Sequence, residues 1–113
     1  MVELTELSET LGKLLFEKNL VLTTAESCTG GGIASAITDI AGSSSWFDRA
    51  FITYSNEAKI EMLGVDSETL DRNGAVSEEI VKQMASGAVK HSHAHIAMSV
   101  SGIAGPGGGS EEK

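Results

Sequence analysis

Helical and strand-like hydrophobic periodicities alternate along this chain, and that alternation constrains the fold more than any other feature. Leucines at helical spacing predict an amphipathic helix over residues 3–18, and the Thr-rich apolar run at residues 21–25 predicts a buried strand. The later elements continue the alternation: helix 33–41, strand 51–54, a helix over 56–63 that Ser55 could cap, a helical turn at 66–70, a helix that starts after Ser77, and strand 95–101. This order predicts an α/β fold in three layers, with helices packed around a central β-sheet.

Length, charge and cysteine content narrow the class of protein. The chain has 113 residues, which suits a single domain over residues 1–113. Its sequence has no apolar run near the roughly 20 residues that span a bilayer, and its acidic N-terminus does not resemble a signal peptide. The single cysteine, Cys28, cannot form an internal disulfide, so we expect a cytoplasmic protein with no membrane partner. A net charge of −8 repels phosphate backbones, so we expect no nucleic-acid partner.

The C-terminal end indicates a domain that is not complete. Residues 102–109 form a glycine-rich stretch that is typical of a loop, and the chain stops soon afterwards at Lys113. A loop of this kind ordinarily connects two elements. We therefore expect a domain that is truncated at its C-terminus.

Ser27 is the first residue whose position suggests chemistry. It lies at the junction between the predicted strand 21–25 and the glycine triplet at residues 30–32. A serine at such a junction can project its hydroxyl into the crevice at the carboxyl end of the sheet. Backbone amides of the following helix would face the same space and could stabilise an oxyanion or hold a phosphate. The alternative interpretation is that Ser27 or Thr29 only caps the helix.

Lys59 is the residue that could activate such a serine. A serine hydroxyl is a poor nucleophile until a base takes its proton, and the histidines, bunched at positions 91, 93 and 95, suggest no Ser-His-Asp set. A lysine whose pKa is lowered by burial can take that role, and Tyr54 could relay a proton or orient the hydroxyl. The alternative interpretation is that Lys59 is an ordinary solvated surface residue.

Three further features are weaker signals. Residues 99–110 form a glycine-rich segment after a predicted strand, which is typical of an anion-binding loop but equally of a flexible hairpin or tail.

The alternating histidines could suggest a metal site, but no carboxylate or cysteine cluster accompanies them, so we expect a solvated connector and no metal. Cys28 adjoins Ser27 and could be the nucleophile in its place, but only one of two neighbours should face the crevice, so we expect Cys28 to be a buried structural residue.

Five ordered blocks, at residues 23–31, 39–44, 54–59, 74–77 and 101–110, resemble those of the CinA C-terminal domain family. The resemblance runs from about Leu4 to Lys113. It implies a Ser-Lys amidohydrolase that needs no metal or other cofactor and converts nicotinamide mononucleotide to nicotinate mononucleotide and ammonia. It also implies that Ser27 is the nucleophile, Lys59 the general base and Tyr54 an assisting hydroxyl.

The resemblance implies a small-molecule nucleotide substrate and leaves homo-oligomerisation open. The family's domain continues beyond the glycine-rich loop, which agrees with a truncated C-terminus. We expect the substrate contacts to come from two segments, through Glu26, Thr29, Gly30, Gly31, Ser101, Gly102, Gly105, Gly108 and Gly109.

Two other functions compete with the amidase. The first is a catalytically silent nucleotide-binding or regulatory module, because some relatives are fused to another domain or named for competence and DNA damage. The presence of both Ser27 and Lys59 argues against it. The second is a short-chain dehydrogenase, which also combines Ser, Tyr and Lys. We reject it because Tyr54 and Lys59 lie five residues apart rather than four, and no suitable glycine fingerprint follows the first strand.

Overall fold

The structure of the chain is a computed structural model, and it describes residues 2–102. Within that range lie five α-helices, one short 3-10 helix and three β-strands. In chain order they are α1 (Val2–Glu17), β1 (Leu22–Glu26), α2 (Gly32–Thr38), the 3-10 helix (Ser43–Ser45), β2 (Phe47–Ile52), α3 (Asn56–Leu63), α4 (Ser67–Asn73), α5 (Glu78–Lys90) and β3 (Ile96–Val100). None of the helices in this range is long and apolar enough to cross a bilayer.

β1 is the central strand of a parallel sheet whose order is β2-β1-β3. All five of its residues are buried, as expected for a parallel strand that is covered by helices on both faces. Because the strands are parallel, their carboxyl ends lie at one edge of the sheet, where Glu26 pairs with both Ile52 and Val100. The segments that follow these three residues therefore begin side by side.

Successive side chains of β1 point into two different cores, one on each face of the sheet. On one face Ala25 packs in a cluster with Leu63 of α3 and Met84 of α5. On the other face Leu22 packs with Leu15 of α1 and Ile37 of α2. The helices therefore enclose the sheet from both sides, which confirms the three-layer α/β fold that the sequence predicts.

Two helices begin at serine caps that the sequence identifies. The Ser55 hydroxyl accepts a hydrogen bond from the Ala58 amide at 3.0 Å, and the Ser77 hydroxyl accepts one from the Ile80 amide at 3.3 Å. Both predicted helix starts are confirmed, and such a cap typically contributes about 1 kcal/mol to stability. The cap at Ser55 is the more relevant of the two for the site, because it fixes the start of α3, the helix that carries Lys59.

The bounds of several elements differ from the prediction. The strand predicted at residues 51–54 is β2, which begins earlier, at Phe47, and ends at Ile52. The hydrophobic pattern misses its first half because Asp48 and Arg49 are charged; in the fold these two side chains pair with each other at 2.7 Å. Smaller differences are that α2 ends at Thr38 rather than 41, α4 reaches Asn73 rather than 70, and β3 spans Ile96–Val100 rather than 95–101.

The contact between α3 and α5 can be tested at Gly87. A Cβ atom there would collide with the backbone carbonyl of Leu63. We expect Gly87→Ala to lower the free energy of unfolding by about 1–3 kcal/mol, the usual cost of overpacking, although alanine favours a helix by about 1 kcal/mol over glycine. Gly32→Ala is the matched control, because a Cβ at this helix position meets no atom within 4 Å. Urea unfolding measures both, and equal stability of the two variants would contradict the packing.

Candidate active site

The structure brings Ser27 and Lys59 together at the carboxyl edge of the sheet. Lys59 Nζ lies 3.0 Å from Ser27 Oγ, although the two residues are 32 positions apart in the chain. Ser27 directly follows β1, and Lys59 lies on α3, which covers the same face of the sheet. Both residues are buried, with 5% of Ser27 and 1% of Lys59 exposed. The interpretation of Lys59 as a solvated surface residue is therefore wrong.

The periodicity of α3 explains why a lysine is buried here. Lys59 and Leu63 are separated by one helical turn, and both are buried on the inner face of α3. Leu63 enters the apolar core with Val65 and Met84, whereas Lys59 lies nearer the start of the helix, at the edge of the sheet. Its aliphatic stem is enclosed by protein while its amine reaches the polar ends of the strands.

Three oxygen atoms surround the amine of Lys59. Besides Ser27 Oγ, these are the backbone carbonyls of Thr53 at 2.9 Å and Tyr54 at 3.2 Å. A neutral amine has two N–H groups and one lone pair. If the two carbonyls accept the two N–H groups, the lone pair is directed at Ser27 and can accept its hydroxyl proton.

Burial lowers the pKa of Lys59 below the ordinary value of a lysine, and the neighbouring Cys28 opposes that shift only in part. The cause is that a charged ammonium loses its water on burial, which favours the neutral form. A neutral amine within hydrogen-bond distance of a serine is the arrangement that base-activated nucleophiles require. The site therefore contains the two groups that Ser-Lys chemistry needs, a serine hydroxyl and a nearby amine whose pKa is lowered.

Glu26 does not face the same space as Ser27. It is fully buried, and its carboxylate accepts hydrogen bonds from the amides of Ile33 and Ala34, each at 2.9 Å, and from the hydroxyl of Thr29 at 2.7 Å. Since successive residues point to opposite faces of a strand, Glu26 is directed at α2 while Ser27 is directed at α3. This geometry favours a structural role for Glu26 and Thr29 over the substrate contacts that the sequence predicts for them.

The same contacts correct the expected role of the α2 amides. The sequence predicts that these amides face the Ser27 crevice. Two of them, from Ile33 and Ala34 in the first turn of α2, donate to the Glu26 carboxylate instead. Neither Ser27 nor Thr29 caps the helix either, since the N-cap residue is Gly31, which has no side chain, and the amides of Ile33 and Ala34 donate to Glu26 instead. Burial by itself raises the pKa of Glu26, but the hydrogen bonds from Thr29, Ile33, Ala34 and Thr24 together hold it below the ordinary value of a glutamate.

A cavity of about 360 Å³ opens beside the Ser27–Lys59 pair. Its volume is within the range of small-molecule sites. A larger cavity, of about 610 Å³, lies against α1 and Trp46 and contains neither Ser27 nor Lys59, so the chemistry favours the smaller one. The smaller cavity is lined by Ser27, Cys28, Tyr54, Asn56, Lys59, Ala75, Val76, Ser101 and Gly102.

The lining differs from the prediction at several positions. Cys28 lies in the cavity beside Ser27, so the expectation that only one of them faces the crevice is wrong. Strand alternation extends to Ser27, whose amide still donates to the Val100 carbonyl of β3, but not to Cys28, because the chain turns after Ser27. The prediction also omits Asn56, Ala75 and Val76, although they lie in two of the sequence blocks that carry the family resemblance.

Of the remaining residues that the sequence predicts for the site, some line this cavity and others do not. Tyr54 lines the cavity with a side chain that is 76% exposed, and its contact with Lys59 is made by its backbone carbonyl. Gly30 and Gly31 form the turn after Ser27, with φ angles of 59° and 103°, and neither lines the cavity. Ser101 and Gly102 do line it. The last three predicted contacts, Gly105, Gly108 and Gly109, lie outside the described residues.

The three histidines do not converge. The amide of Val21 donates to His95 Nδ1 at 3.0 Å, while His91 Nδ1 lies 2.8 Å from the Gly87 carbonyl, at the end of α5. Among residues 2–102, no group of three or more His, Cys, Asp or Glu side chains is arranged to hold a metal ion.

Comparison with known proteins points to one family. The family model of the CinA C-terminal domain, which describes the sequences of that family, matches residues 4–113 of this chain. The nicotinamide-nucleotide amidohydrolase PncC of Escherichia coli strain K12 is 61% identical over 98% of this chain, which corresponds to 67% of the length of that relative. A CinA-like protein of Chlorobium limicola is 53% identical over 96% of this chain, and the match covers 25% of that protein.

Solved structures show the same fold. The competence/damage inducible protein CihA of Agrobacterium tumefaciens superposes with a TM-score of 0.92 and 54% sequence identity, over 97% of this chain and 67% of that one. A CinA superfamily protein of Escherichia coli superposes with a TM-score of 0.91 and 37% identity, over 96% of this chain and 63% of that one. These structures support the α/β arrangement described above.

Titration of Lys59 tests the electrostatics of the site. We expect the Nζ resonance of Lys59, followed by 15N NMR, to titrate below the ordinary lysine value of 10.5, because burial disfavours its charge. Lys82 is the control, since its ion pair with Glu78 raises its pKa above 10.5. Between the lowered pKa of Lys59 and 10.5, the unfolded chain binds more protons, so this residue makes the free energy of unfolding rise with pH there. A Lys59 midpoint at or above that of Lys82 would contradict this electrostatic account.

Proposed function

This chain belongs to the CinA C-terminal domain family, and on that premise we propose that it is a nicotinamide-nucleotide amidohydrolase with Ser27 as nucleophile and Lys59 as base. The observation that carries the proposal is the 3.0 Å contact between Ser27 Oγ and the buried amine of Lys59. The substrate is nicotinamide mononucleotide, and the products are nicotinate mononucleotide and ammonia. The relatives named as amidohydrolases support this activity at 61% identity.

The first half of the reaction forms an acyl-enzyme. Neutral Lys59 accepts the hydroxyl proton of Ser27, whose oxygen attacks the carboxamide carbon and forms an ester bond when the C–N bond breaks. Protonated Lys59 gives its proton to the leaving amine, which departs as ammonia. The carbonyls of Thr53 and Tyr54 hold the amine at this position throughout, because they accept hydrogen bonds in either protonation state.

The second half hydrolyses the ester. Lys59, again neutral, accepts a proton from water, the resulting hydroxide attacks the acyl carbon, and Ser27 leaves with the proton that Lys59 returns. The oxyanion of both steps needs backbone donors near Ser27. The Gly30 amide already donates to the Ser27 carbonyl at 3.0 Å, so we assign this role to the amides of Cys28 and Thr29.

The cavity provides further groups for the substrate. We assign substrate contacts to Ser101 and Gly102, which line it, and to the glycines at 105, 108 and 109 of the same segment. Tyr54 assists from the rim with its hydroxyl, in keeping with its exposed side chain. Asn56 lies beside Lys59 and can donate or accept a hydrogen bond from the substrate. The reaction uses no metal or other cofactor.

The biological setting follows from the same reasoning. The single free cysteine suits a reducing cytoplasm, where we place the enzyme. The net charge of −8 disfavours nucleic acid as a partner. We treat residues 1–113 as one domain, since β1 contributes side chains to both cores of the described residues.

A catalytically silent nucleotide-binding or regulatory module is the competing function. Relatives named as CinA-like or putative competence-damage inducible proteins keep it in consideration. The burial of an amine against a serine argues against it, because a module that only binds a ligand has no need for this costly pair. Ligand binding without ammonia release would favour the module.

Replacement of the nucleophile is the direct test. We expect Ser27→Ala to lower kcat for ammonia release from nicotinamide mononucleotide by at least about 1,000-fold, because no ester can form. The fold should persist, since the change removes one hydroxyl at the edge of the sheet. Ser86→Ala, an exposed serine on α5, is the matched control and should keep wild-type turnover. Equal ammonia release from the Ser27 variant would refute the assignment.

The pH dependence tests the base. The neutral form of Lys59 is the active one, so kcat/KM should rise with pH through its lowered pKa. Lys59→Arg should lower kcat by about 100-fold to 10,000-fold at every accessible pH, since arginine stays protonated. Lys82→Met, on the exposed face of α5, should leave both rate and profile unchanged. A wild-type rate that falls as the pH rises through this range would contradict Lys59 as base.

A further inference from the structure

We propose that Glu26 is a positioning residue for the reaction. Its carboxylate connects the end of β1 to the start of α2 and so fixes the turn that holds Ser27 beside Lys59. This inference rests on the proposed role of Ser27 as nucleophile. It gives Glu26 a function that is distinct from contact with the substrate.

The first argument is how completely the carboxylate of Glu26 is satisfied. One oxygen accepts from the Thr29 hydroxyl at 2.7 Å and the Ile33 amide at 2.9 Å. The other accepts from the Ala34 amide at 2.9 Å and the Thr24 hydroxyl at 3.2 Å. Burial of a carboxylate costs free energy unless hydrogen-bond donors surround it, and the Glu26 carboxylate is fully buried. Hydrogen bonds to a charged group are stronger than those between neutral groups. This arrangement is therefore built for an ionised Glu26 at this one position.

The second argument is where those donors lie. They come from β1, from the turn and from α2, so one side chain joins the three segments that surround Ser27. The turn has few other restraints. Its two glycines adopt φ angles of 59° and 103°. Its backbone bonds are those from the Gly30 amide to the Ser27 carbonyl and from the Gly32 amide to the Thr29 carbonyl, with one bond at each end, from Ser27 to Val100 of β3 and from Ser35 of α2 to Gly31. The carboxylate is thus the main link between the turn and the sheet on the α2 side.

The third argument is the direction in which Glu26 acts. Glu26 and Ser27 are adjacent but point to opposite faces of the sheet, so a shift in one moves the backbone of the other. Among residues 2–102 the amine of Lys59 bonds to Ser27, Thr53 and Tyr54, whereas the Glu26 carboxylate is held by groups on the α2 side. Glu26 therefore acts on the position of Ser27 and not on the charge of its base.

The test compares Glu26→Gln with a control of matched stability. Glutamine keeps the shape but turns one acceptor into an NH2 donor, which opposes the donors that point at it. We expect kcat to fall by about tenfold or more, because a misplacement of 1 Å costs about 100-fold, while KM stays within about twofold of wild type. The midpoint of the pH profile should not move. Leu15→Ala, in the core on the α1 side, should lower the melting temperature without lowering kcat of the folded protein.

A milder variant covers the case in which Glu26→Gln does not fold. Thr29→Val removes one of the four donors and keeps the shape of the side chain. We expect kcat to fall by about threefold, a fraction of the tenfold effect above, with KM unchanged and no further loss when it is combined with Glu26→Gln. A Glu26→Gln or Thr29→Val enzyme with wild-type kcat would overturn the inference, as would an equal loss of kcat in Leu15→Ala.

Amide hydrogen exchange tests the same inference without any activity. At equal thermal stability, we expect the amides of Ser27, Gly30 and Gly32 to exchange faster in Glu26→Gln than in Leu15→Ala. Exchange at these amides that is no faster than in the control would also overturn it. A wild-type chain that releases no ammonia contradicts the proposed function instead, and the exchange rates then still decide whether Glu26 holds the turn.

Discussion

The chemistry that we propose for this protein depends on the burial of one amine. Lys59 is 1% exposed, and within residues 2–102 no carboxylate pairs with it; its partners are two backbone carbonyls and a serine hydroxyl. Without a counter-ion, removal from water favours the neutral form. An ion pair at this position would have kept the lysine charged and useless as a base. The fold thus lowers the pKa of a residue that is ordinarily a surface cation, as the proposed role of Lys59 as base requires.

The central strand places Glu26 and Ser27 at the edge of the sheet where the amine of Lys59 also lies, although Lys59 is 32 positions away from Ser27 in the chain. β1 pairs with β2 and β3, so the ends of all three strands meet at one edge. Alternation along β1 then sends Glu26 to the α2 side and Ser27 to the α3 side. One buried carboxylate accepts from amides at the start of α2, and one buried amine lies against the Ser27 hydroxyl. The two faces of the strand therefore carry the two polar groups that our proposals assign to support and to chemistry.

Prediction from sequence succeeded where local patterns report directly on local structure. The starts of α3 and α5 follow from Ser55 and Ser77, whose hydroxyls accept from the next turn wherever such a helix begins. It was less accurate for β2, because the ion pair between Asp48 and Arg49 breaks the apolar pattern while the backbone still pairs with β1. Cys28 was misjudged for a related reason, since strand alternation was extended past the residue at which the strand ends.

The amino-acid sequence by itself determined the layered α/β class, the helix caps and the identity of the residues that could act as nucleophile and base. Only the tertiary structure decided that Lys59 is buried, that its amine lies 3.0 Å from Ser27, and that Glu26 faces away from the cavity. The reason is physical. Helix and strand periodicity depend on neighbours within one or two turns, whereas the solvation of an amine depends on every segment that packs around it, here including the segments that follow β1 and β2.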